Sequence, residues 1–186
     1  MPLSHRHRSA ADRLLHGGVI AYPTEAVWGL GCDPWNELAT LRLLAMKHRP
    51  ASKGLILVGS DMAQFSWLLD ELTAGQRARL ELTWPGPATW LVPHRDLVPP
   101  WITGEHDTVA VRVSAHPDVQ SLCEAWGGPL VSTSANPGGA QPARSNFQCR
   151  RYFGDQLDYV CPGQVGKSER PTTIRDLLSD EVVRAG

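Results

Sequence analysis

Short apolar runs bounded by glycine or proline alternate along the chain with segments of helical periodicity. Apolar runs of this length are typical of buried strands, whereas apolar residues spaced three and four apart indicate a helix. The runs predict strands at residues 19–22, 55–58, 88–92, 108–113 and 130–132, and shorter strands at 159–160, 173–174 and 182–183.

Helix starts are marked by residues whose side chains can cap the first free backbone amides. The capping residues that predict helix starts are Ser9, Asn36, Asp61, Thr73 and Ser145, and Pro117 suits the first turn of a further helix. Thr73 with Gln76 and Ser145 with Gln148 have the spacing of capping boxes. In the helix after Asn36, four apolar residues are expected to share the buried face: Leu38, Leu41, Leu44 and Ala45.

Strands and helices are interspersed along the whole chain, with no internal repeat. This order predicts an α/β fold, a twisted sheet flanked by helices. The connections are uneven in length, which favours a mixed sheet over a doubly wound one. At 186 residues, the length fits a single domain over residues 1–186.

The charge is close to balanced, with 18 Lys and Arg against 19 Asp and Glu. Domains whose main activity is to grip a nucleic-acid backbone usually carry a clear basic excess, so the balance disfavours that class. The four cysteines are widely spaced and form no zinc-binding pattern. Since no apolar run approaches the length of a membrane-spanning helix, we expect no membrane association and a cytoplasmic location.

Five polar segments lie where strands or helices should end, which is where α/β domains place ligands. They are residues 23–25, 47–53, 108–112, 132–136, and 171–173 together with Arg184. In the second segment a turn at Pro50 separates Lys47, Arg49 and Lys53, so these cations can point at a common anion. The alternative is that they only complement the helix dipole.

Hydroxyl and amide groups follow the strand 130–132 directly. Alternation would turn Ser132, Ser134 and Asn136 to one side, although such a turn can also satisfy its own backbone. Arg112 sits among apolar neighbours in its strand and therefore needs an anionic partner, either a ligand or a core carboxylate, unless its side chain extends to solvent from the open face of the sheet. Thr108 lies on the same face as Arg112 by a period of two.

Two nucleotide-binding motifs fail on inspection. Residues 166–168 resemble the end of a Walker A loop, but Cys161 occupies the position of its first glycine. Residues 29–31 lack the third glycine of a dinucleotide fingerprint. The sequence also has no sign of a catalytic triad. The candidate site residues are therefore the cations, hydroxyls and amide named above. Such a set suits nucleotidyl transfer, in which positioning and charge stabilisation do most of the work.

Four motifs together resemble the YrdC-like family. They are the stretch from Ala21 to Gly31 (AYPTEAVWGLG), the Lys47-x-Arg49 pair, the AVRV strand around Arg112, and the STSAN run from Ser132 to Asn136. The resemblance covers residues from about Leu14 to the end and extends to the short bacterial members. It implies a mixed sheet with a concave, positively charged cleft.

The resemblance also implies an activity, in which L-threonine, bicarbonate and ATP give threonylcarbamoyl-adenylate and pyrophosphate, with Mg²⁺ on the phosphates. The product would pass to a partner complex that modifies tRNA. By likeness of motif, Thr24, Arg112, Ser132 and Thr172 would hold threonine and its carbamate. The nucleotide and its phosphates would be held by Lys47, Arg49, Lys53, Thr108, Ser134, Asn136 and Arg184. The first three of these are the expected catalytic residues.

Two other functions stay open. One is an RNA-binding or ribosome-maturation factor that uses a basic surface including Arg144, Arg150 and Arg151. The other is carbamoyl transfer, as in the much longer hydrogenase maturation proteins that contain a similar domain. The chain also departs from the family pattern, with Pro137-Gly138 after Asn136 and with Leu57 where longer relatives carry a ligand-facing histidine.

Overall fold

A computed structural model describes residues 4–168 and 172–185. Its helices are α1 (His5–Leu15), α2 (Glu37–Met46), α3 (Ser66–Leu69), α4 (Ala74–Glu81), α5 (Pro100–Thr103), α6 (Pro117–Trp126) and α7 (Asn146–Phe153). Its strands are β1 (Ile20–Pro23), β2 (Trp28–Gly31), β3 (Ile56–Gly59), β4 (Ala88–Pro93), β5 (Thr108–Val113), β6 (Leu130–Ser134), β7 (Tyr159–Val160), β8 (Thr173–Asp176) and β9 (Val182–Arg184).

In the described part of the chain the strands form one sheet in the order β7-β1-β2-β6-β3-β5-β4-β8-β9. The pairs β1/β7, β3/β5 and β4/β8 are parallel and the other neighbours are antiparallel. The predicted mixed α/β sheet flanked by helices is therefore confirmed.

Strand β2 was not among the predicted strands, because its sequence WGLG carries two glycines, which weaken a strand pattern. The structure explains Gly31 by packing. A Cβ at this position would lie 2.5 Å from the carbonyl oxygen of Val131 and 2.8 Å from Cε1 of Tyr22. The close approach of two backbones and one aromatic ring therefore requires glycine here.

The predicted helix caps are largely confirmed. Asn36 Oδ1 accepts from the Ala39 amide at 3.0 Å and Asp61 Oδ1 from the Gln64 amide at 3.2 Å. Thr73 and Gln76 form the reciprocal capping box. At the start of α7 only half of the expected box forms: Ser145 accepts from the Gln148 amide, but the Gln148 side chain accepts from the amide of Arg144 instead.

Two helix predictions were wrong. Helix α1 begins after Ser4 rather than at Ser9, because His7, Ala10 and Leu14 form a buried stripe that extends the helix toward the N terminus. In α2 only Leu44 of the four residues expected on the buried face is buried, and Leu38, Leu41 and Ala45 are exposed. Leu38 is 80% exposed and Leu41 is 42% exposed, and the buried positions are Ala39, Thr40, Leu43, Leu44 and Met46.

The core lies on both faces of the sheet. Helices α1 and α6 pack on each other and cover one face, where Leu14, Ile20, Tyr22 and Leu130 are buried. A larger cluster fills the other face around Trp28, Leu57, Phe65, Trp90 and Phe153. Among the described residues, no helix has the length and apolar character needed to cross a membrane.

The connection after β7 runs along the turn between β1 and β2. The amide of Gly166 donates to the carbonyl of Thr24 at 2.9 Å, and the amide of Ser168 donates to the carbonyl of Glu25 at 3.1 Å. Strands β7 and β8 are consecutive in the sequence but lie near opposite edges of the sheet. The chain must therefore cross the sheet between them, and this places Ser168 and Thr172 beside the same cleft.

Candidate active site

A cleft with two joined compartments opens beside strands β2, β3, β5 and β6. The first compartment has a volume of about 340 Å³ and the second of about 230 Å³. Both are lined by Arg49, Leu55, Ile56 and Arg184, which form the junction between them. The volume of the first compartment is typical of a small-molecule site, since ligand clefts measure ~300–1,000 Å³.

A buried ion pair forms one wall of the first compartment. Nη2 of Arg112, on β5, lies 3.1 Å from Oε2 of Glu25, and the two side chains are 10% and 13% exposed. Oε1 of Glu25 accepts from the Ser114 hydroxyl at 2.6 Å and from the Ala115 amide at 3.2 Å. Of the two partners considered from the sequence, a core carboxylate is therefore present in this structure.

The electrostatics of this pair keep Glu25 ionised. Burial by itself would raise the pKa of the carboxyl group, but the Arg112 guanidinium and the Ser114 hydroxyl outweigh burial and hold this pKa below its ordinary value. Nε of Arg112 is buried and has no hydrogen-bond partner among residues 4–168 and 172–185. The guanidinium can therefore still donate to a ligand that carries a carboxylate.

Hydroxyl groups line another part of the first compartment. Thr24 is fixed by its own turn, where Oγ1 donates to the carbonyl of Val27 at 2.7 Å. Ser132 and Ser134 lie at the end of β6 and also line the compartment, as does Thr133. Thr172 reaches it from the far edge of the sheet. These residues converge although they are distant in the sequence.

Thr89 is a residue that the sequence analysis missed. It is fully buried on β4, and its hydroxyl lies 2.9 Å from the hydroxyl of Thr172. It fixes the rotamer of Thr172 at the wall of the first compartment. A single threonine in a strand carries no sequence signal of its own, so only the pairing of β4 with β8 reveals this contact.

Two guanidinium groups meet at the junction of the compartments. Nη2 of Arg49 donates to the carbonyl of Gly54 at 2.9 Å, whereas its buried Nε has no partner in the part of the chain that the structure describes. Nη2 of Arg184 donates to the carbonyl of Thr172 at 3.1 Å. Burial and the nearby charge of Arg184 lower the pKa of Arg49. Such a pair of like charges favours an anionic ligand between them.

The second compartment is more apolar. Lys53, His106 and Thr108 contribute polar groups, and the remaining wall includes Leu91, Ile102, Ala110, Ile174 and Val183. The sequence analysis named Lys53 and Thr108 but none of the apolar residues, because nothing distinguishes them from core residues in the sequence. A flat, mostly apolar group with polar edges, such as a purine, fits this lining.

Two of the expected site residues, Lys47 and Asn136, do not line either compartment. Lys47 is 4% exposed, and its Nζ donates to the carbonyls of Ser134 and Asn136. The amide of Asn136 donates to the carbonyls of Pro137 and Ala140 at 3.0 and 2.9 Å. The expectation that Lys47 points at the same anion as Arg49 and Lys53 is therefore not met.

The comparison with protein families decides the membership of the chain. The Sua5/YciO/YrdC family model, described as "Telomere recombination", matches residues 12–186. The chain belongs to the Sua5/YciO/YrdC family. The resemblance seen in the four sequence motifs is therefore confirmed, and it extends over almost the whole chain.

Relatives of this Sua5/YciO/YrdC protein include a full-length bacterial match. This chain is 55% identical over 186 residues to a protein of Pseudomonas putida KT2440 named threonylcarbamoyl-AMP synthase, and the match covers 100% of both chains. Among solved structures, it resembles E. coli YciO at 29% identity and a TM-score of 0.81, covering 96% of this chain and 87% of that one.

A second similar solved structure is a complex with an amino acid. P. abyssi Sua5 complexed with L-threonine is 32% identical and has a TM-score of 0.85. The match covers 91% of this chain, which spans about half of the Sua5 chain (50%). The twisted mixed sheet is therefore a shared feature of this family.

Proposed function

We propose that the chain is a nucleotidyltransferase that makes L-threonylcarbamoyladenylate and pyrophosphate from L-threonine, bicarbonate and ATP. The observation that carries this proposal is the two-compartment cleft, in which an arginine- and hydroxyl-lined cavity joins a mostly apolar one at two guanidinium groups. The name of the P. putida relative and the threonine complex of P. abyssi Sua5 support it.

We assign the amino acid to the first compartment. Nε of Arg112 would bind the carboxylate of threonine or its carbamate, and Thr24, Ser132 and Thr172 would hold the remaining polar groups. Because the Glu25 carboxylate balances Arg112, the wall stays close to neutral when no ligand is bound. A bidentate guanidinium is the donor that best matches a planar carboxylate.

The nucleotide is assigned to the second compartment and the junction. Its base would lie against the apolar wall near Thr108, its α-phosphate beside Arg49, Arg184 and Ser134, and its outer phosphates near Lys53. The α-phosphate would then lie between the two compartments, next to the carbamate. With four cationic side chains and one carboxylate on these walls, we propose that the concave cleft of this single domain (1–186) is positively charged.

The chemistry requires positioning and charge stabilisation. The threonine amine attacks carbon dioxide derived from bicarbonate and loses a proton, and this gives a carbamate. A carbamate oxygen then attacks the α-phosphorus, and the bond to the pyrophosphate oxygen breaks. Arg49 and Lys53 would stabilise the negative charge that develops on the phosphates.

Mg²⁺ is expected to enter with the triphosphate. Within residues 4–168 and 172–185, no group of three or more His, Cys, Asp or Glu side chains is arranged to hold a metal. Mg²⁺ usually keeps several waters and binds substrate phosphates. The protein residues thus do not form a metal cage of their own, and no step above depends on one.

The product has a defined chemical fate in this proposal. A mixed carbamic-phosphoric anhydride is an activated acyl donor, so it must be consumed by an enzyme that transfers the carbamoyl group to an amine. We propose that this acceptor is tRNA adenosine, modified by a partner complex in the cytoplasm. Weak RNA binding by the exposed arginines Arg144, Arg150 and Arg151 would be compatible with such a transfer.

The direct test is release of pyrophosphate by the purified chain. We expect release only when threonine, bicarbonate, ATP and Mg²⁺ are all present, with the adenylate detected by mass spectrometry. Omitting threonine should reduce the rate to background. Salt-sensitive RNA binding without turnover would instead favour an RNA-binding factor, and release that does not depend on threonine would refute the assignment.

Thr89 offers a finer test of the first compartment. The change Thr89→Val removes the hydroxyl that holds Thr172 and keeps the shape of the side chain. We expect the KM for threonine to rise by ~2–10-fold, the equivalent of one hydrogen bond, with little change in kcat. Thr89→Ser keeps the hydroxyl and should stay close to wild type. Equal effects of the two substitutions would show that the hydroxyl pair has no such role.

A further inference from the structure

The side chain of Lys47 links two segments that carry ligand-facing residues. One is the end of α2, which continues to Arg49. The other is the turn 134–140 after β6, which begins at Ser134. Arg49 and Ser134 both line the first compartment, whereas Lys47 lies behind them and is 4% exposed.

The contacts between Lys47 and the turn run in both directions. Its Nζ donates to the carbonyl of Ser134 and, at 2.7 Å, to the carbonyl of Asn136. In return, the carbonyl of Lys47 accepts from the amide of Gly138 at 2.7 Å. A Cβ added to Gly138 would lie 3.3 Å from that carbonyl oxygen, so the two backbones are in direct contact.

Side chains within the turn reinforce this arrangement. The hydroxyl of Ser134 donates to Oδ1 of Asn136 at 2.6 Å, and the Asn136 amide group donates to the carbonyls of Pro137 and Ala140. The direction of the Ser134 side chain is therefore set by Asn136. The backbone of Asn136 is in turn held by Lys47.

We propose that Lys47 is a positioning residue, which acts through the 134–140 turn to set the spacing between Ser134 and Arg49, and that it does not contact the phosphates of the nucleotide. This inference rests on the proposed function and deepens it. It also gives Asn136 a role, as the link that passes the position of the lysine to the Ser134 hydroxyl.

The charge of Lys47 is consistent with this role. Burial and the neighbouring Arg49 lower the pKa of Lys47 to about 8. The ammonium group already donates to two backbone carbonyls. A phosphate that bound this group would have to displace them. A lysine that served mainly as a phosphate contact would instead be expected to project into the cleft, as Lys53 does.

The first experiment measures amide hydrogen exchange of the ligand-free full chain. In Lys47→Met, the amides of Asn136, Gly138 and Ala140 should exchange ~5–10-fold faster than in wild type, because the turn loses a fixed partner. Lys47→Gln keeps N–H donors without the charge, and it serves as a second variant if the methionine variant folds poorly. The control Lys53→Met should leave these amides unchanged. Unchanged exchange in both Lys47 variants would overturn the proposal.

The second experiment compares the affinities of ATP and AMP by calorimetry. In Lys47→Met both affinities should fall and their ratio should stay within about twofold of wild type, since a displaced turn affects every nucleotide. In Lys53→Met the ratio should drop, because a charge near the outer phosphates is lost. A drop in the ratio for Lys47→Met as well would mean that Lys47 binds phosphate directly and would overturn the proposal.

A third readout needs no substitution. The ¹⁵N signal of the Lys47 ammonium group should keep its shift when pyrophosphate is added to the wild-type chain, whereas a direct phosphate contact would move it. Neither exchange, binding nor this signal requires turnover. If the chain released no pyrophosphate, the proposed function would fail while the role of Lys47 would still be decided.

Discussion

Replacing Arg112 by alanine is expected to produce a large loss of both stability and activity. The change leaves the Glu25 carboxylate buried without its cation, and breaking a buried pair in this way costs ~3–5 kcal/mol. It also removes the donor assigned to threonine, so adenylate formation should fall by ~10²–10³-fold or more. Thermal unfolding and threonine-dependent pyrophosphate release measure the two effects.

A double variant separates these effects. In Arg112→Met with Glu25→Gln, both charges are gone and the amide of glutamine can still accept from the Ser114 hydroxyl. Because neutral replacement of a whole buried pair is often tolerated, most of the stability should return. Activity should remain lost. If activity recovered together with stability, Arg112 would be a structural residue and its assignment to threonine would be incorrect.

Replacing Arg49 by alanine is expected to remove most of the activity with little effect on folding. Within the described residues, the Arg49 side chain donates only to the carbonyls of Lys53 and Gly54, and its buried Nε has no acceptor. Loss of this donor from the junction should lower kcat for adenylate formation by ~10²–10³-fold. Arg49→Lys keeps the charge but not the planar fork, so it should restore only part of the rate.

Arg42→Ala is the matched control for Arg49. Arg42 lies on α2, the helix that precedes Arg49 in the chain, is 43% exposed and pairs with Asp158 outside the cleft. Its removal should leave kcat within about twofold of wild type, since exposed ion pairs contribute little. A double variant with alanine at Arg49 and Lys53 should be almost inactive. Normal adenylate formation by that variant would contradict the role given to both cations.

Local signals in the sequence were sufficient to predict most of the helices and strands. The caps at Asn36, Asp61 and Thr73 were correct because a short polar side chain beside free amides is a local property. The face of α2 was not predictable in this way. Apolar residues surround most of that helix, so several stripes fit the helical period, and only the packing of α2 on the larger core cluster selects Leu43 over Leu38.

The candidate site shows the same division. Arg112 was correctly expected to need an anionic partner, but the sequence did not identify Glu25, which is 87 positions away, as that partner. Thr89 and the apolar wall of the second compartment carried no signal. Lys47 was grouped with Arg49 by their spacing, yet the two side chains face different directions, because α2 ends at Met46 and the backbone turns at His48, where φ is 50°.

The sequence by itself determined the class of fold, the positions of most strands and helices, and the family to which the chain belongs, because these depend on short-range periodicity, capping and contiguous motifs. Only the tertiary structure decided which strands pair, which side of α2 is buried, and which cations face the cleft. Those features depend on contacts between residues that are distant in the chain, and the free energy of such contacts is set by packing and burial, which no local pattern encodes.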